Sequence, residues 1–289
     1  MKQIAVLSGK GGTGKTLIAA SLVRFLKNDA VAVDADVEAA NLGLFLSGRT
    51  VSEEALNAGQ YAAVDDALCN GCGECARVCR FDAVRITAET ARVDPMRCEG
   101  CRACLIVCAP GAIDTMPRQT GVLRVRECDS GILVEGELLP AQDNSGRMVT
   151  AVVDRARQIA AERGAPFVVV DGPPGIGCPV QACLSLTDQV LAVTEPTVSG
   201  FSDLQRLLDL CDLRGIPAVV LLNRSMPGWE HPPAVERLCE ERHIPFLGRI
   251  PFCRDIPAAS MRRLTPLDHP LTAPPLQEAF RALFEQINC

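Results

Sequence analysis

The stretch Gly9-Lys10-Gly11-Gly12-Thr13-Gly14-Lys15-Thr16 lies between an apolar segment, residues 4–7, and a segment of helical character, residues 15–27. It matches the pattern GxxxxGK[ST], in which the glycines allow backbone N–H groups to surround phosphates at the N-terminus of a helix. A glycine-rich turn can match by chance, but the apolar segment before it and the helix after it argue against that. The stretch therefore predicts a nucleotide site in which Lys15 contacts the β- and γ-phosphates and the Thr16 hydroxyl binds Mg²⁺.

Beyond this loop, short apolar segments alternate with segments of helical spacing. We expect strands at residues 4–7, 30–33, 167–170, 189–193, 218–222 and 245–250, a hairpin at 121–139 and a helix at 147–163. Strands that alternate with helices are typical of a parallel sheet covered on both faces. The sequence therefore predicts an α/β fold with a mostly parallel sheet. The polar residues 48–60 are interpreted as a connection that leads to a cysteine-rich region.

Eight of the fifteen cysteines form two matching runs. The runs are Cys69-Asn-Gly-Cys72-Gly-Glu-Cys75-Ala-Arg-Val-Cys79 and Cys98-Glu-Gly-Cys101-Arg-Ala-Cys104-Leu-Ile-Val-Cys108. Each reads C-x2-C-x2-C-x3-C, and the second repeats the first 29 positions later. At this spacing three thiolates bind three irons of one [4Fe–4S] cluster, and the fourth ligates the other cluster. We therefore assign one cluster to Cys69, Cys72, Cys75 and Cys108, and the other to Cys98, Cys101, Cys104 and Cys79.

Structural zinc and disulfides are the alternatives for these cysteines. Four-thiolate zinc sites use two separated pairs, and disulfides need an oxidising compartment. Residues 61–118 instead resemble a bacterial two-cluster ferredoxin, except that the proline expected after the fourth cysteine is displaced to Pro110 in the second run and absent from the first. This resemblance implies a small α+β ferredoxin domain at 61–118, inserted into a domain formed by residues 1–60 and 119–289.

The additional lysine, Lys10, gives the loop the form KGGTGKT. This form resembles the deviant phosphate loop of the MinD/ParA and nitrogenase iron protein class of P-loop ATPases. In that class, this lysine crosses a dimer interface to the nucleotide of the partner subunit. The resemblance therefore implies a homodimer stabilised by ATP, with Lys10 and Lys15 among the catalytic residues.

The same resemblance extends along the flanking sequence. The segment Asp34-Ala35-Asp36, followed by Asn41-Leu42-Gly43-Leu44, resembles the first switch of the class, in which the second aspartate acts catalytically on the attacking water. Residues 168–175 resemble its Walker B strand and second switch, where Asp171 would hold the Mg²⁺ shell. A helix cap is an alternative role for Asp34. The adenine contacts implied by the resemblance are Asn223, Arg224, Pro251 and Phe252.

Cys178 lies seven residues after Asp171, where nitrogenase-type iron proteins hold a cluster between two subunits. The second ligand of those proteins has no match in this sequence, although Cys183 or Cys128 could substitute for it. The alternative interpretation makes Cys178, Cys183 and Cys211 small apolar residues of the core, and we prefer it here.

Composition narrows the class of partner. Hydrophobic residues make up 48% of the 289 residues, and the net charge of −6 comes from well-mixed acidic and basic residues, so we expect no nucleic-acid surface. Apolar runs fall short of the ~20 residues of a membrane span, so we expect no membrane partner. Cysteines without a secretion signal indicate a reducing, cytoplasmic setting. Apolar residues at helical spacing in 276–287 predict a terminal helix packed on the core.

Together these features predict a MgATP-binding and hydrolysing protein with two [4Fe–4S] clusters. In the leading hypothesis, the nucleotide state of a dimer is coupled to electron transfer toward an unidentified redox partner. The second hypothesis is an ATP-dependent assembly or carrier protein for metal or iron–sulfur clusters, with Cys178 as its transfer ligand. A third is the spatial positioning of a complex with the clusters as a redox sensor, and the net charge and terminal helix argue against it.

Overall fold

The structure is a computed structural model that describes residues 1–140, 145–226 and 232–288. In these ranges the strands are β1 (Lys2–Ser8), β2 (Ala30–Asp34), β3 (Gly48–Leu56), β4 (Gly59–Val64), β5 (Val84–Thr87), β6 (Thr90–Val93), β7 (Ile113–Arg118), β8 (Gly121–Cys128), β9 (Gly131–Leu138), β10 (Phe167–Pro174), β11 (Gln189–Thr194), β12 (Ala218–Ser225) and β13 (Phe246–Pro251).

The helices of the same ranges separate most of these strands. They are α1 (Lys15–Leu26), α2 (Glu74–Val78), α3 (Ala103–Val107), α4 (Ser145–Arg163), α5 (Cys178–Leu184), α6 (Val198–Arg214), α7 (Pro232–Glu241), α8 (Ile256–Ser260) and α9 (Ala273–Asn288). Short 3₁₀ turns occur at Lys27–Asp29, Leu42–Leu44 and Pro266–Asp268. Across the described ranges, every helix is too short or too polar to cross a membrane.

A nine-stranded sheet of the described residues has the order β13-β12-β11-β1-β10-β2-β9-β8-β3. The six pairs of neighbours from β13 to β9 are parallel. The middle strands are apolar along their length and buried, as expected when helices cover both faces of a parallel sheet. The predicted α/β fold with a mostly parallel sheet is therefore confirmed, and so is the hairpin, which β8 and β9 form.

The parallel pairing brings the carboxyl ends of the strands to one edge of this sheet. The phosphate loop follows β1, Asp36 follows β2, Asp171 lies near the end of β10, and Asn223 lies near the end of β12. Ligands of open α/β sheets bind at this edge. The topology therefore gathers the residues that the sequence indicates for nucleotide binding.

The described residues form two compact units. The first unit comprises Met1–Glu54, Leu123–Glu137 and the chain from Ser145 onward, and the second comprises Ala55–Val122 with a short segment that begins at Leu138. The interpretation of residues 48–60 as a connection was wrong, because they form β3 and the start of β4. β3 is the edge strand of the large sheet.

The second unit contains two small antiparallel ladders, β4 with β7 and β5 with β6, and the short helices α2 and α3. Its buried apolar cluster is small, and three of its eight members are cysteines. Such a core excludes little water by itself, because small domains bury a low fraction of their surface.

Candidate functional site

The phosphate loop runs from the end of β1 to the start of α1. Gly12 and Gly14 have φ angles of +82° and +92°, which favour glycine, and α1 begins directly afterwards at Lys15. The Ser8 hydroxyl donates a hydrogen bond of 2.5 Å to the Lys10 carbonyl oxygen. The helix N-terminus presents its first N–H groups to the loop, where they favour bound phosphate.

Two contacts with distant elements hold this loop in place. Asn223 of β12 donates from Nδ2 to the Thr13 carbonyl oxygen at 2.8 Å. A Cβ atom added to Gly14 would lie 2.5 Å from that amide nitrogen, and one added to Gly9 would lie 2.1 Å from the backbone oxygen of Asp203 in α6. The loop can therefore lie this close to β12 and α6 only because both positions are glycine.

Asp171 has the environment of a cation ligand. Its side chain is buried, and neither carboxylate oxygen has a hydrogen-bond partner among the described residues. Burial raises its pKa to about 7, although the nearby Thr16 hydroxyl and Lys15 ammonium act in the opposite direction. A buried carboxylate without a partner is costly. A Mg²⁺ ion held by Asp171 and the Thr16 hydroxyl fits these oxygen donors.

Lys15 lies in the same buried region. Burial lowers the pKa of its ammonium group, while the charges of Asp171 and Asp36 oppose that shift. Burial also raises the pKa of Asp36, and Lys15 opposes that change. The structure therefore brings Lys15, Asp36 and Asp171, three of the predicted site residues, into electrostatic contact.

Asp34 fixes the backbone around Asp36. Its carboxylate oxygens accept hydrogen bonds from the backbone N–H groups of Leu42 at 2.8 Å and Asp36 at 3.2 Å. Burial raises the pKa of Asp34 well above its usual value, and the charge of Asp171 adds to this effect. Leu42 begins a 3₁₀ turn, so Asp34 caps that turn and positions the first predicted switch.

Lys10 is held within its own chain. Its Nζ lies 2.6 Å from Glu195 Oε1 and donates to Ser199 Oγ at 2.9 Å. Arg224 Nη1 approaches the second oxygen of Glu195 at 3.3 Å. Burial disfavours the charged form of Glu195, but the bond to Lys10 and the charges of Lys10 and Arg224 outweigh it and lower the pKa. Glu195 thus contacts both Lys10 and Arg224, two residues that are predicted to contact nucleotide.

Glu195 and Ser199 were missed by the sequence reasoning. They follow β11, at the carboxyl edge of the sheet, where loops carry the ligand contacts of such folds. Their position directly after a predicted strand was the signal that could have identified them as site residues.

A cavity of about 300 Å³ opens beside the phosphate loop. Its wall includes Gly14 and all four residues predicted to contact adenine, Asn223, Arg224, Pro251 and Phe252. Apolar residues from α1, β13 and α8 complete much of the lining. The size and mixed lining suit a flat heteroaromatic ring.

A second cavity, of about 280 Å³, is bordered by both predicted switch segments. Residues 35–39 supply one side, and Pro173 and Pro174 with Pro179 supply the other. Asp36 therefore lies in a space that the second switch also borders.

The eight paired cysteines form two groups within the second unit, which we call the first and second cages. The first cage is a concave site lined by Cys69, Cys72, Cys75 and Cys108, and the second by Cys98, Cys101, Cys104 and Cys79. All eight are free thiols. Each cage takes three cysteines from one run and the fourth from the other.

Backbone N–H groups point at the cage sulfurs. Ala62 donates to Cys98 Sγ at 3.4 Å, Ala91 to Cys69 Sγ at 3.5 Å, and Ala112 to Cys108 Sγ at 3.2 Å. Bonds of this kind stabilise the negative charge of cluster thiolates and influence the reduction potential. The donor set of four sulfurs per cage fits an iron–sulfur cluster in each.

The remaining cysteines separate by exposure. Cys178 is exposed at the N-terminus of α5, contrary to the preferred core interpretation, whereas Cys183 and Cys211 are buried. Burial raises the pKa of Cys183 to about 12, and its complete enclosure prevents it from serving as the second bridging ligand. Cys128 is half-buried in β8.

Cys253, Asp255 and His269 form a further cluster that the sequence reasoning missed. His269 Nε2 lies 3.4 Å from Cys253 Sγ and 3.8 Å from an oxygen of Asp255, within reach of one metal ion. The Leu271 N–H group, however, donates to His269 Nδ1 at 3.2 Å. A neutral ring then carries its proton on Nε2, so that nitrogen faces Cys253 as a donor and not as a metal ligand.

Comparison with known proteins agrees with this geometry. The chain is 30% identical to the uncharacterised protein MJ0578 of Methanocaldococcus jannaschii over 291 aligned positions, which cover 99% of this chain and 96% of that protein. It is similar in fold to the cell division ATPase MinD of Pyrococcus furiosus, with a TM-score of 0.60, 18% identity and 99% of each chain covered.

A second similar structure is MinD of Pyrococcus horikoshii in complex with Mg-ADP. Its TM-score is 0.61 at 17% identity, with 99% of this chain and 97% of that chain covered. Residues 4–267 match the CobQ/CobB/MinD/ParA nucleotide binding domain family. With the phosphate loop, the Asp171 carboxylate and the adjoining cavity at one edge of a parallel sheet, the chain belongs to this MinD/ParA-type family of P-loop nucleotide-binding ATPases.

Proposed function

We propose that this protein binds and hydrolyses MgATP as a dimer and that its nucleotide state controls electron transfer through two [4Fe–4S] clusters. The observation that carries the proposal is the grouping of eight cysteines into two four-sulfur cages in the same chain as the phosphate loop. The proposal includes a ferredoxin domain at about residues 61–118, inserted into an ATPase domain of residues 1–60 and 119–289.

The nucleotide part of the proposal is supported by the arrangement around the phosphate loop. Lys15 neutralises the terminal phosphates, and the N-terminus of α1 stabilises their charge. Asp36 orients the attacking water from the cavity it shares with the second switch. Mg²⁺ held by Thr16 and Asp171 supplies charge stabilisation for phosphoryl transfer. Asn223, Arg224, Pro251 and Phe252 bind the base.

Dimer formation is supported by the position of Lys10. Its contact with Glu195 is a partly exposed ion pair, with 27% and 14% of the two side chains accessible, and such pairs contribute only about 1 kcal/mol or less. Lys10 can leave this contact at small cost. A triphosphate on a partner subunit offers it a more highly charged anion.

The redox part of the proposal is supported by the cages. Two clusters held by four thiolates each suit electron relay to a partner protein, which the chain does not identify. The potentials of such clusters span ≈ −700 to +450 mV, so the protein environment decides their values. The two predicted switch segments and the two cages belong to one polypeptide. A change of the switches with nucleotide state can therefore be transmitted to the clusters through the chain.

Redox titration with and without MgATP tests the coupling. Anaerobic reconstitution should give about eight irons per chain, since each cluster holds four. The midpoint potentials should then shift when MgATP is added to the native protein, and stay constant in Lys15→Ala, which cannot neutralise the phosphates. Equal potentials with and without MgATP in the native protein would refute the coupling.

A second candidate function is the assembly or delivery of a metal or iron–sulfur cluster. The exposed thiol of Cys178 favours it, because that residue follows the second switch and is not a cage ligand. Cys178→Ala should abolish transfer of iron–sulfur clusters to an apo-acceptor while leaving the eight cage irons in place. Unchanged transfer would exclude Cys178 from that role.

A further inference from the structure

The second unit has an internal repeat that places equivalent backbone atoms in both cages. The Ala62 N–H group donates to Cys98 Sγ, and the Ala91 N–H group donates to Cys69 Sγ. The two alanines are 29 positions apart, and so are the two cysteines. A Cβ atom on Gly71 would meet the carbonyl oxygen of Glu89 at 2.5 Å, and one on Gly100 would meet that of Gln60 at 2.6 Å. Because of this repeat, the residues around one cage can be compared position by position with those around the other.

The charges around the cages break this symmetry. The half-buried Arg118 donates from Nη2 to the carbonyl oxygen of Cys98, and its Nε is buried without a partner among the described residues. The residue 29 positions earlier is Glu89, which is exposed and cannot donate a hydrogen bond. A cation thus contacts a ligand residue of the second cage. Beside Gly71, the first cage has the anionic Glu89 where the second has the neutral Gln60 beside Gly100.

A second pair of equivalent positions differs in the same direction. Arg102 lines the second cage with a φ of +63°, and its equivalent is Gly73, which lines the first cage with a φ of +79°. A left-handed arginine is unusual, since this conformation favours glycine. Arg102 donates to the neutral Gln60 Oε1 at 2.5 Å, so that contact leaves its positive charge uncompensated.

The acidic residues of the cage walls do not reverse the difference. Glu99 lines the second cage together with Arg102, and Arg118 adds a second positive charge through its bond to the Cys98 carbonyl oxygen. Glu74 lines the first cage and is paired with Arg77, which leaves that wall without excess positive charge. The second cage is therefore the more positive of the two.

We propose that the two clusters have different reduction potentials and that the cluster of the second cage is the more easily reduced. This inference rests on the proposed function, because it requires a cluster in each cage. Reduction adds one negative charge to a cluster, and nearby positive charge stabilises that form. A chain that has accepted one electron therefore holds it in the second cage, which makes this cluster the electron store and the first cluster the stronger reductant.

This assignment is tested by reconstituting the full chain anaerobically and titrating its redox potential. Electron paramagnetic resonance monitors the reduction of the clusters during the titration. The native protein should show two separate midpoint potentials. Arg118→Met should lower the higher potential alone, whereas Arg118→Lys, which keeps the charge, should leave it nearly unchanged. Glu89→Arg should raise the lower potential toward the higher one. Glu89 lies on an exposed turn, so this substitution leaves the contacts of Arg118 intact.

The outcomes separate the inference from the proposed function. A native protein that binds no cubane clusters would refute the proposed function itself. Two clusters with one shared potential, or a higher potential unmoved in Arg118→Met, would overturn the inference alone. If Arg118→Met fails to bind iron, the redox titration of Glu89→Arg tests the inference instead. A lower potential that is unchanged in Glu89→Arg would also overturn the inference that nearby charge sets the two potentials apart.

Discussion

Asp171 shows how a single side chain can be prepared for a ligand. It lies in a buried strand, and both carboxylate oxygens lack hydrogen-bond partners among the described residues. A side chain selected for stability alone would not leave two buried acceptors unpaired. Its raised pKa of about 7 is the consequence, because without a cation the folded protein favours the protonated form.

The pKa of Asp171 predicts a pH-dependent stability in Mg²⁺-free buffer. Above about pH 4 the unfolded chain has an ionised Asp171, while the folded chain keeps it protonated until about pH 7, so folding stability falls as pH rises across this range. Between pH 5 and 8 the native protein should lose about 2.7 kcal/mol more than Asp171→Asn. Its Tm should therefore fall by roughly 5–10 °C more, since 1 kcal/mol corresponds to roughly 2–4 °C in a chain of this size.

Differential scanning fluorimetry in EDTA measures this difference, and MgATP supplies the control. With the cation bound, ionised Asp171 has its partner, and the loss at pH 8 should disappear. Parallel Tm curves for the native and Asp171→Asn proteins would mean that Asp171 is already ionised at pH 5.

Glu195 should restrain Lys10, so Glu195→Gln should promote the proposed ATP-dependent dimer. The substitution removes the negative charge but keeps the shape of the side chain. Loss of a partly exposed ion pair corresponds to about 1 kcal/mol, or about fivefold in the ATP concentration needed for half-maximal dimerisation. Analytical ultracentrifugation across an ATP series measures this, with Lys10→Ala as the variant expected not to dimerise. A higher ATP requirement in Glu195→Gln would contradict the restraint.

At the residue scale, the sequence predicted those site residues that belong to a contiguous motif. Lys15 and Thr16 follow from the loop motif, Asp171 follows from the resemblance of residues 168–175 to a Walker B strand, and the structure brings the three together. Glu195 could not be found in this way, because its contact with Lys10 joins positions 185 residues apart and depends on the order of β1 and β11 in the sheet.

At the scale of elements, the strands predicted correctly have apolar residues either in a continuous run, as in β1, or at alternating positions, as in β8. β3 was missed because both of its faces are largely exposed and its residues are mainly polar. Its stability comes from pairing in the sheet and from ion pairs such as Arg124 with Glu53 at 2.7 Å. Periodicity cannot reveal a strand that is stabilised by its neighbour and not by a buried face.

The packing of α6 against the phosphate loop predicts a sharp difference between two glycines. Gly9→Ala would force a Cβ atom to within 2.1 Å of the Asp203 backbone oxygen, so α6 must shift away from β1. We expect a loss of about 1–3 kcal/mol, as for other overpacked sites. Gly11→Ala is the matched control, because an added Cβ atom there meets nothing within 4 Å. Chemical denaturation that shows equal stability for both variants would contradict the close contact.

At the scale of the whole molecule, the two units should differ in what stabilises them. The first unit has a large apolar core that includes fully buried Phe280 and Leu22, whereas the small core of the second is rich in cysteine. Removing iron from the reconstituted protein should therefore increase amide exchange in β4 and β7 at least tenfold and leave β1 and β10 unchanged.

Hydrogen–deuterium exchange with mass spectrometry of the iron-loaded and iron-free forms tests this difference. Equal protection of β4 and β7 in the two forms would show that the second unit is stable without metal. In the sequence, the two matching cysteine runs distinguish this region from its surroundings. The division falls within strands β3, β8 and β9, where composition does not change.

The exchange of the fourth cysteine between the two runs has a consequence for how the proposed clusters would acquire iron. The first cage is complete only when Cys108 of the second run reaches it, and the second only when Cys79 of the first run does. Closing either cage thus brings both runs into register and prepares the empty cage for its own metal. When iron is scarce, a population of chains should divide into fully loaded and empty molecules, with few half-loaded intermediates between them.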